Sequence, residues 1–349
     1  MTERENRTLW LLGAAAGTVW LTREILRQRN EVSLIRNVVL ITGGSRGLGL
    51  CLAKELITEG CRLALCARDE NELYRAKEQL EAMGGEVFVS VCDITDKEQV
   101  AHTVYQTLAH YGQVDVLINN AGQIVTGPAQ IWETEDYERQ MEVDFYGALY
   151  FVYELLPHFR ARRTGRIVNI SSIGGRIAVP HLLPYSCAKF ALTGFSEGLR
   201  AELKHDKITV TTIFPGTLRT GSHYQTQVRG HQEQEFANFS LSATLPLVST
   251  SAENAARQIV LSTKRGEAER VISVPAKLAT LFHGIFPGVT SDLFGVFNEY
   301  VLPEPGGSSE TQTGKEIARE TKSPLMSLVS KLGRRTAQRL NQFSTNEKN

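Results

Sequence analysis

Tyr185 and Lys189 stand four residues apart in Pro184-Tyr185-Ser186-Cys187-Ala188-Lys189, so on a helix their side chains project from one face, one turn apart. An ammonium held beside a phenol stabilises the phenolate and lowers the tyrosine pKa from its ordinary value of about 10. Such a tyrosine can exchange protons near neutral pH. The spacing alone is a weak signal, because Tyr-x-x-x-Lys recurs by chance. Its meaning depends on whether the chain supplies a cofactor for the pair to work beside.

A strand, a glycine loop and a helix occur well upstream of the pair. Val38-Val39-Leu40-Ile41 is a short, mostly β-branched run of the kind buried on both faces of a parallel sheet. It leads into Thr42-Gly43-Gly44-Ser45-Arg46-Gly47-Leu48-Gly49 and then into a helical sequence from Leu50 to Glu59. Glycines there let the backbone approach a pyrophosphate, which sits at the positive end of the helix. A glycine loop is more often a plain turn, but this one has the required flanks. The next strand, Arg62 to Ala67, runs straight into Arg68. In dinucleotide folds an acidic residue near this point accepts hydrogen bonds from the adenosine ribose, whereas a basic one accommodates a 2′-phosphate. With no carboxylate at Cys66 or Ala67, Arg68 and Arg46 form a candidate phosphate clamp, which favours NADP(H). The plain alternative is two surface arginines.

The alternation continues with helix 70–83, strand 86–92 ending at Asp93, helix 96–110, and strand 114–118 before Asn119-Asn120-Ala121-Gly122. A helical stretch from about Asp136 to Arg160 leads to strand Arg166 to Ile170 and Ser171-Ser172. Helix 185–203 and strand Ile208 to Ile213 follow, ending in Pro215-Gly216. Strands separated by helices of ten or more residues imply parallel pairing with right-handed crossovers. The expected fold class is α/β, a doubly wound parallel sheet of Rossmann type with helices on both faces and helical extensions at both ends.

These motifs carry a resemblance to the short-chain dehydrogenase/reductase family over residues 37–275. The loop from Thr42 matches TGxxxGxG, residues 119–122 match NNAG, residues 185–189 match YxxxK, and Pro215-Gly216 with Thr220 match the proline-glycine element after the sixth strand. The resemblance implies a catalytic serine thirteen residues before the tyrosine, which is Ser172, with Ser171 structural. It also implies cofactor contacts from Gly43, Ser45, Arg46, Gly47, Leu48 and Gly49, with Asp93 at the adenine and Asn119, Ala121 and Gly122 along the ribose side. Tyr185 and Lys189 hold the nicotinamide ribose, and Pro215, Gly216 and Thr220 meet the nicotinamide. A homodimer or homotetramer is implied as well.

One position departs from the pattern. The family usually places asparagine in a Val-Asn-x-x-Gly motif that joins the proton relay; here the stretch is Val143-Asp144-Phe145-Tyr146-Gly147. Asp144 keeps an acceptor oxygen, loses the amide donor and adds negative charge, so the relay is expected to be altered. The implied activity is NADP-dependent hydride transfer to or from a carbonyl or alcohol, with Tyr185 as acid or base. A non-catalytic NADP(H) sensor or scaffold is the alternative, disfavoured by the intact Ser172, Tyr185 and Lys189.

Composition bounds the rest. Lys plus Arg equals Asp plus Glu at 38 each, which gives no basis for a nucleic-acid partner. The five cysteines lack metal or redox spacing, and His223, His231 and His283 lack ligand spacing, so a reducing, cytoplasmic setting and no metal are expected. Within residues 1–36, the apolar run Leu9 to Leu21 is shorter than the roughly 20 residues that span a bilayer. It leaves open a membrane-surface anchor or a docked helix. The catalytic domain is expected over 37–302, with a substrate lid at about 217–247. Apolar residues over 278–302 fit a lipid-like substrate pocket, a dimer contact, a membrane contact or a helical pair closing the core. A flexible linker is expected over 303–324 and a basic amphipathic tail over 325–349.

Overall fold

The computed structural model describes residues 31–245, 249–320 and 336–343. Strand β1 (Val38–Thr42) is buried at every position, and its side chains alternate between two cores. Val39 and Ile41 join one layer with Leu50, Leu52 and Leu56 of helix α1 (Gly47–Thr58). Val38 and Leu40 face the other. Beside β1 lies β2 (Arg62–Ala67), and beyond it β3 (Val87–Val91), joined through α2 (Glu70–Glu81). Helix α3 (Lys97–Tyr111) returns the chain to β4 (Val116–Asn119) on the other side of β1. Short strand β5 (Val125–Thr126) follows.

The helical stretch expected over 136–160 is α4 (Thr134–Met141), a π-turn at Glu142–Tyr146, and α5 (Gly147–Arg162). Then come β6 (Gly165–Ile170), α6 (Leu183–Glu202) and β7 (Ile208–Pro215). The lid region holds β8 (Leu218–Arg219), β9 (Gln227–Gly230) and α7 (Gln232–Thr244). Strand β10 (Thr250–Ser251) pairs with β8, and α8 (Ala252–Arg265) leads to β11 (Glu269–Ile272). The main sheet is parallel throughout, in the order β11-β7-β6-β4-β1-β2-β3. Its order reverses at β1, so the carboxyl ends of β1 and β4 open the crevice where ligands bind in such sheets. The expected Rossmann-type fold is therefore the observed one.

Three expectations need correction. The segment 303–324 is not a linker over its described part: β12 (Ser308–Thr313) pairs antiparallel with β9, and a helix covers Gly314–Glu320. Its polar composition is that of a strand half open to solvent, supported by a neighbour's ladder and by Ile317, which packs with Tyr224 and Phe236. The apolar residues after 273 do not close the core. They form two helices, α9 (Val274–Ile285) and α10 (Pro287–Tyr300), that leave Leu278, Leu281, Ile285, Leu293 and Val296 exposed. Finally, Thr336–Phe343 of the expected tail packs on the domain, with Ala337 and Leu340 buried. The apolar run at Leu9 to Leu21 and most of the tail helix lie outside the described residues. No helix among the described residues is long and apolar enough to cross a membrane.

Candidate active site

Helix α6 carries Tyr185 and Lys189 on one face, and the sheet beneath holds it in place. Ser171 at the end of β6 donates to the Lys189 carbonyl at 3.1 Å and shares a hydrogen bond with Thr193 at 3.0 Å. Deeper in, Asn119 donates to Asn169, Asn169 donates to Ser196, and Ser196 bonds Thr212, which ties β4, β6, α6 and β7 together. Buried hydrogen-bond networks of this kind fix one arrangement of the elements. Both Ser171 and Ser172 line the cavity; the Ser171 hydroxyl is engaged with α6, while Ser172 caps the turn that follows, accepting from the Gly174 N–H at 3.0 Å.

The Lys189 ammonium lies 5.7 Å from the centre of the Tyr185 ring, 3.1 Å from the Ile170 carbonyl and 3.1 Å from Asp144 Oδ1. Asp144 sits in the π-turn, a distortion common at functional sites, and is 1% exposed. Its Oδ1 also accepts the Gln123 N–H at 3.2 Å, and its Oδ2 accepts the Gln140 amide. Burial pushes the Asp144 carboxyl up, and Lys189, Gln123 and Gln140 pull it partly back. Because every neighbour of its two oxygens is a donor, the carboxylate form is the one this nest accommodates. Burial also opposes the Lys189 charge, but Asp144 and Tyr185 outweigh it and raise the lysine above its ordinary value.

This geometry corrects the simple picture of a lysine depressing a tyrosine. Burial raises the Tyr185 pKa; Lys189 and the Ser172 hydrogen bond pull it down, and Asp144 pushes it up. The net direction is upward because burial outweighs the pull of Lys189, and Asp144 adds to the rise by offsetting part of that pull. The relay position is therefore an ion-paired one. Gly122 protects it: a Cβ there would run into Asp144 Oδ1 and lie 3.2 Å from Lys189 Nζ.

A cavity of about 530 Å³ joins this cluster to the glycine loop. Gly43, Ser45, Arg46, Gly47, Leu48 and Gly49 line it, with Arg68 and Asp93 at the far end and Ala121 and Gly122 between. Pro215, Gly216 and Thr220 also line it, as do Tyr185 and Lys189. Asn119 is the exception. It is spent on Asn169 inside the sheet and does not line the cavity; Asn120 does, held by donating to the Thr42 and Gly43 carbonyls at 3.0 and 3.1 Å. The alternation of a strand explains the change, since neighbouring side chains point to opposite faces.

The cradle fits a dinucleotide. Gly43 has φ +64°, and a Cβ on it would lie 2.9 Å from the Ala121 backbone, so the loop closes tightly only with glycine. The cavity has the size of a cofactor site and ends at the first turn of α1. Glu72 lines the cavity as well, beside Arg46. Arg46 pairs with it at 2.8 Å, and burial raises the Glu72 carboxyl despite that partner. Sequence reasoning missed Glu72, Asn120, Gln123, Gln140 and Gln342, all contributors to these walls or pairs. Only Gln140 carried a usable signal, standing four residues before Asp144 on one helical face.

Sheet order, glycine loop and the placement of the tyrosine define the class: an oxidoreductase that works on a bound dinucleotide. The sequence matches the model of the short chain dehydrogenase family over residues 37–229, and the chain belongs to that family. It is 37% identical over 219 residues to a dehydrogenase/reductase SDR family protein 7-like of Anopheles gambiae, covering 61% of this chain and 69% of the relative. A putative oxidoreductase SadH of Mycobacterium tuberculosis is 36% identical over 243 residues, 69% of this chain and 87% of the relative. Among solved structures, a short-chain dehydrogenase from Streptomyces avermitilis superposes with a TM-score of 0.64 at 26% identity, over 75% of this chain and 97% of that one. An actinorhodin polyketide ketoreductase solved with NADPH gives 0.60 at 30% identity, over 68% and 95%.

Proposed function

We propose that the protein is an NADP-dependent reductase of apolar ketones or aldehydes, able to run the reverse oxidation of the alcohol. The observation that carries the reading is the convergence of Ser172, Tyr185 and Lys189 on one wall of the cavity. The bound nicotinamide would supply the hydride. Ser172 holds the substrate oxygen, Tyr185 exchanges the proton on it, and Lys189 supports the tyrosine and holds the nicotinamide ribose.

The NADP reading is supported by Arg46 and Arg68 at the adenosine end, with no carboxylate at the end of β2. NADPH in the related ketoreductase adds support. Glu72 is no bar, because its pairing with Arg46 presents a guanidinium at the cavity edge rather than a bare carboxylate. An apolar substrate is supported by Ile124, Ile173, Val179, Leu182 and Phe239, which line the cavity on the lid side. The exposed apolar residues of α9 and α10 support peripheral membrane contact, which flotation with liposomes tests.

The direct test incubates purified protein with NADPH and a panel of ketones and aldehydes, alongside Tyr185→Phe. Expected is NADPH oxidation at least about a hundredfold faster with the parent for some apolar members of the panel. Tight NADPH binding without any Tyr185-dependent turnover would instead identify a sensor or scaffold.

A further inference from the structure

Residues 336–343 lie on the glycine loop, far in sequence from any cofactor motif. The contact is specific. The Gly47 N–H, in the first turn of α1, donates to the Leu340 carbonyl at 3.0 Å. Asn341 adopts φ +60°, a conformation asparagine tolerates, and its side-chain amide donates to the Ser45 and Glu72 carbonyls at 2.8 and 2.9 Å. Arg75 of α2 donates back to Asn341 Oδ1 at 3.0 Å. Gln342 then reaches the chain after β8: its Nε2 donates to the Thr220 carbonyl at 3.1 Å, while its own carbonyl accepts from Gln225 at 3.2 Å. Buried Ala337 and Leu340 anchor the segment, and Phe343 packs edge-on against Tyr224 at 4.9 Å.

Gln342 is 3% exposed and lines the cavity, and its Oε1 has no hydrogen-bond partner although it is buried. An unpaired buried carbonyl oxygen is unfavourable unless something donates to it. Because Gln342 lines the cavity, the segment forms part of its wall. The two places it joins, Gly47 and Thr220, both line the cavity and adjoin each other, a Cβ on Gly47 lying 3.8 Å from Thr220.

We infer that Thr336–Phe343 is a strap that closes over the bound dinucleotide, and that Gln342 is a cofactor-contacting residue whose Oε1 receives a donor from the cofactor, such as a ribose hydroxyl or the nicotinamide carboxamide. The inference rests on dinucleotide binding in this cavity. Cofactor exchange then requires the strap to lift, breaking the bonds to Gly47, Ser45, Glu72 and Thr220. The strap thereby sets the residence time of the cofactor, and the enzyme closes its site with residues outside the segment that matches the family.

The experiment uses the full chain, NADPH as probe, and two readouts that need no turnover. Hydrogen exchange over residues 336–343 is measured with and without NADPH, and NADPH dissociation is followed by fluorescence during a chase with excess NADP+. Expected are slower exchange across the strap on NADPH binding and dissociation about three- to tenfold faster in Gln342→Ala, the range for one lost hydrogen bond. A chain ending at residue 335 is expected to lose NADPH more than tenfold faster. Binding of NADPH with no protection of 336–343, or unchanged dissociation in Gln342→Ala, overturns the strap while leaving the dinucleotide site intact. Tighter NADPH binding in the shortened chain makes the segment a competing plug and also overturns it. Absence of any NADPH or NADH binding to the full chain removes the dinucleotide reading itself, and the strap with it.

Discussion

Replacing Asp144 by asparagine removes a negative charge 3.1 Å from the Lys189 ammonium and leaves the remaining shape almost unchanged. Asparagine keeps an oxygen for Lys189 and for the Gln123 N–H, while the third donor, Gln140, loses its acceptor. What changes is the field at Tyr185. In the native protein Asp144 pushes the phenol up and offsets the lysine that pulls it down. Without the carboxylate, Lys189 acts on the phenolate unopposed from 5.7 Å off the ring centre. At an effective dielectric of about 20, a unit charge at that distance contributes about 3 kcal/mol, which is the upper bound on what loss of the offsetting carboxylate can release. Burial of the now unpaired lysine gives back part of this, and the direction that remains is downward. The assay is the pH profile of kcat/KM for alcohol oxidation and carbonyl reduction, with circular dichroism and Tm as controls for folding. The alkaline limb assigned to Tyr185 should move to lower pH in Asp144→Asn. A limb that stays in place, or moves to higher pH, in a folded variant refutes the argument that Asp144 neutralises the lysine.

Three further predictions follow from the same geometry. Gly122→Ala should lower kcat by more than about tenfold and cut stability by about 1–3 kcal/mol, because the new methyl meets the buried Asp144–Lys189 pair; steady-state kinetics and denaturant melts check this. His223 is buried among Tyr224 and Phe236 with its pKa lowered by burial to about 4, so between pH 6.5 and 4 the unfolded chain binds a proton the folded one refuses. Stability should fall by about 3 kcal/mol as pH drops through that window, and His223→Phe should flatten the loss in melts taken at a series of pH values. Arg68→Asp should weaken NADPH binding about tenfold or more while leaving NADH nearly unaffected; equal effects in titrations with both cofactors would show that Arg68 does not read the phosphate.

The sequence by itself determined the sheet, the glycine loop and the Tyr185–Lys189 face. Each of these is local. A buried strand needs a short apolar run, a phosphate loop needs glycines between strand and helix, and a shared helical face needs only a spacing of four. The parallel order follows from helices long enough to cross over the sheet. Tertiary structure decided what surrounds those parts. Whether Lys189 depresses Tyr185 depends on a third charge, Asp144, brought within 3.1 Å by a different helix, and on burial that no spacing reports. Which asparagine faces the cavity turned on the phase of one short strand, which placed Asn119 in the sheet and Asn120 on the wall. The polar stretch at Ser308–Thr313 became a strand because β9 offered it a ladder, and Asn341 reached the glycine loop at Ser45 across almost three hundred residues of chain. Local pattern can name the groups that do chemistry, but the field they work in is set by whichever distant residues the fold packs against them.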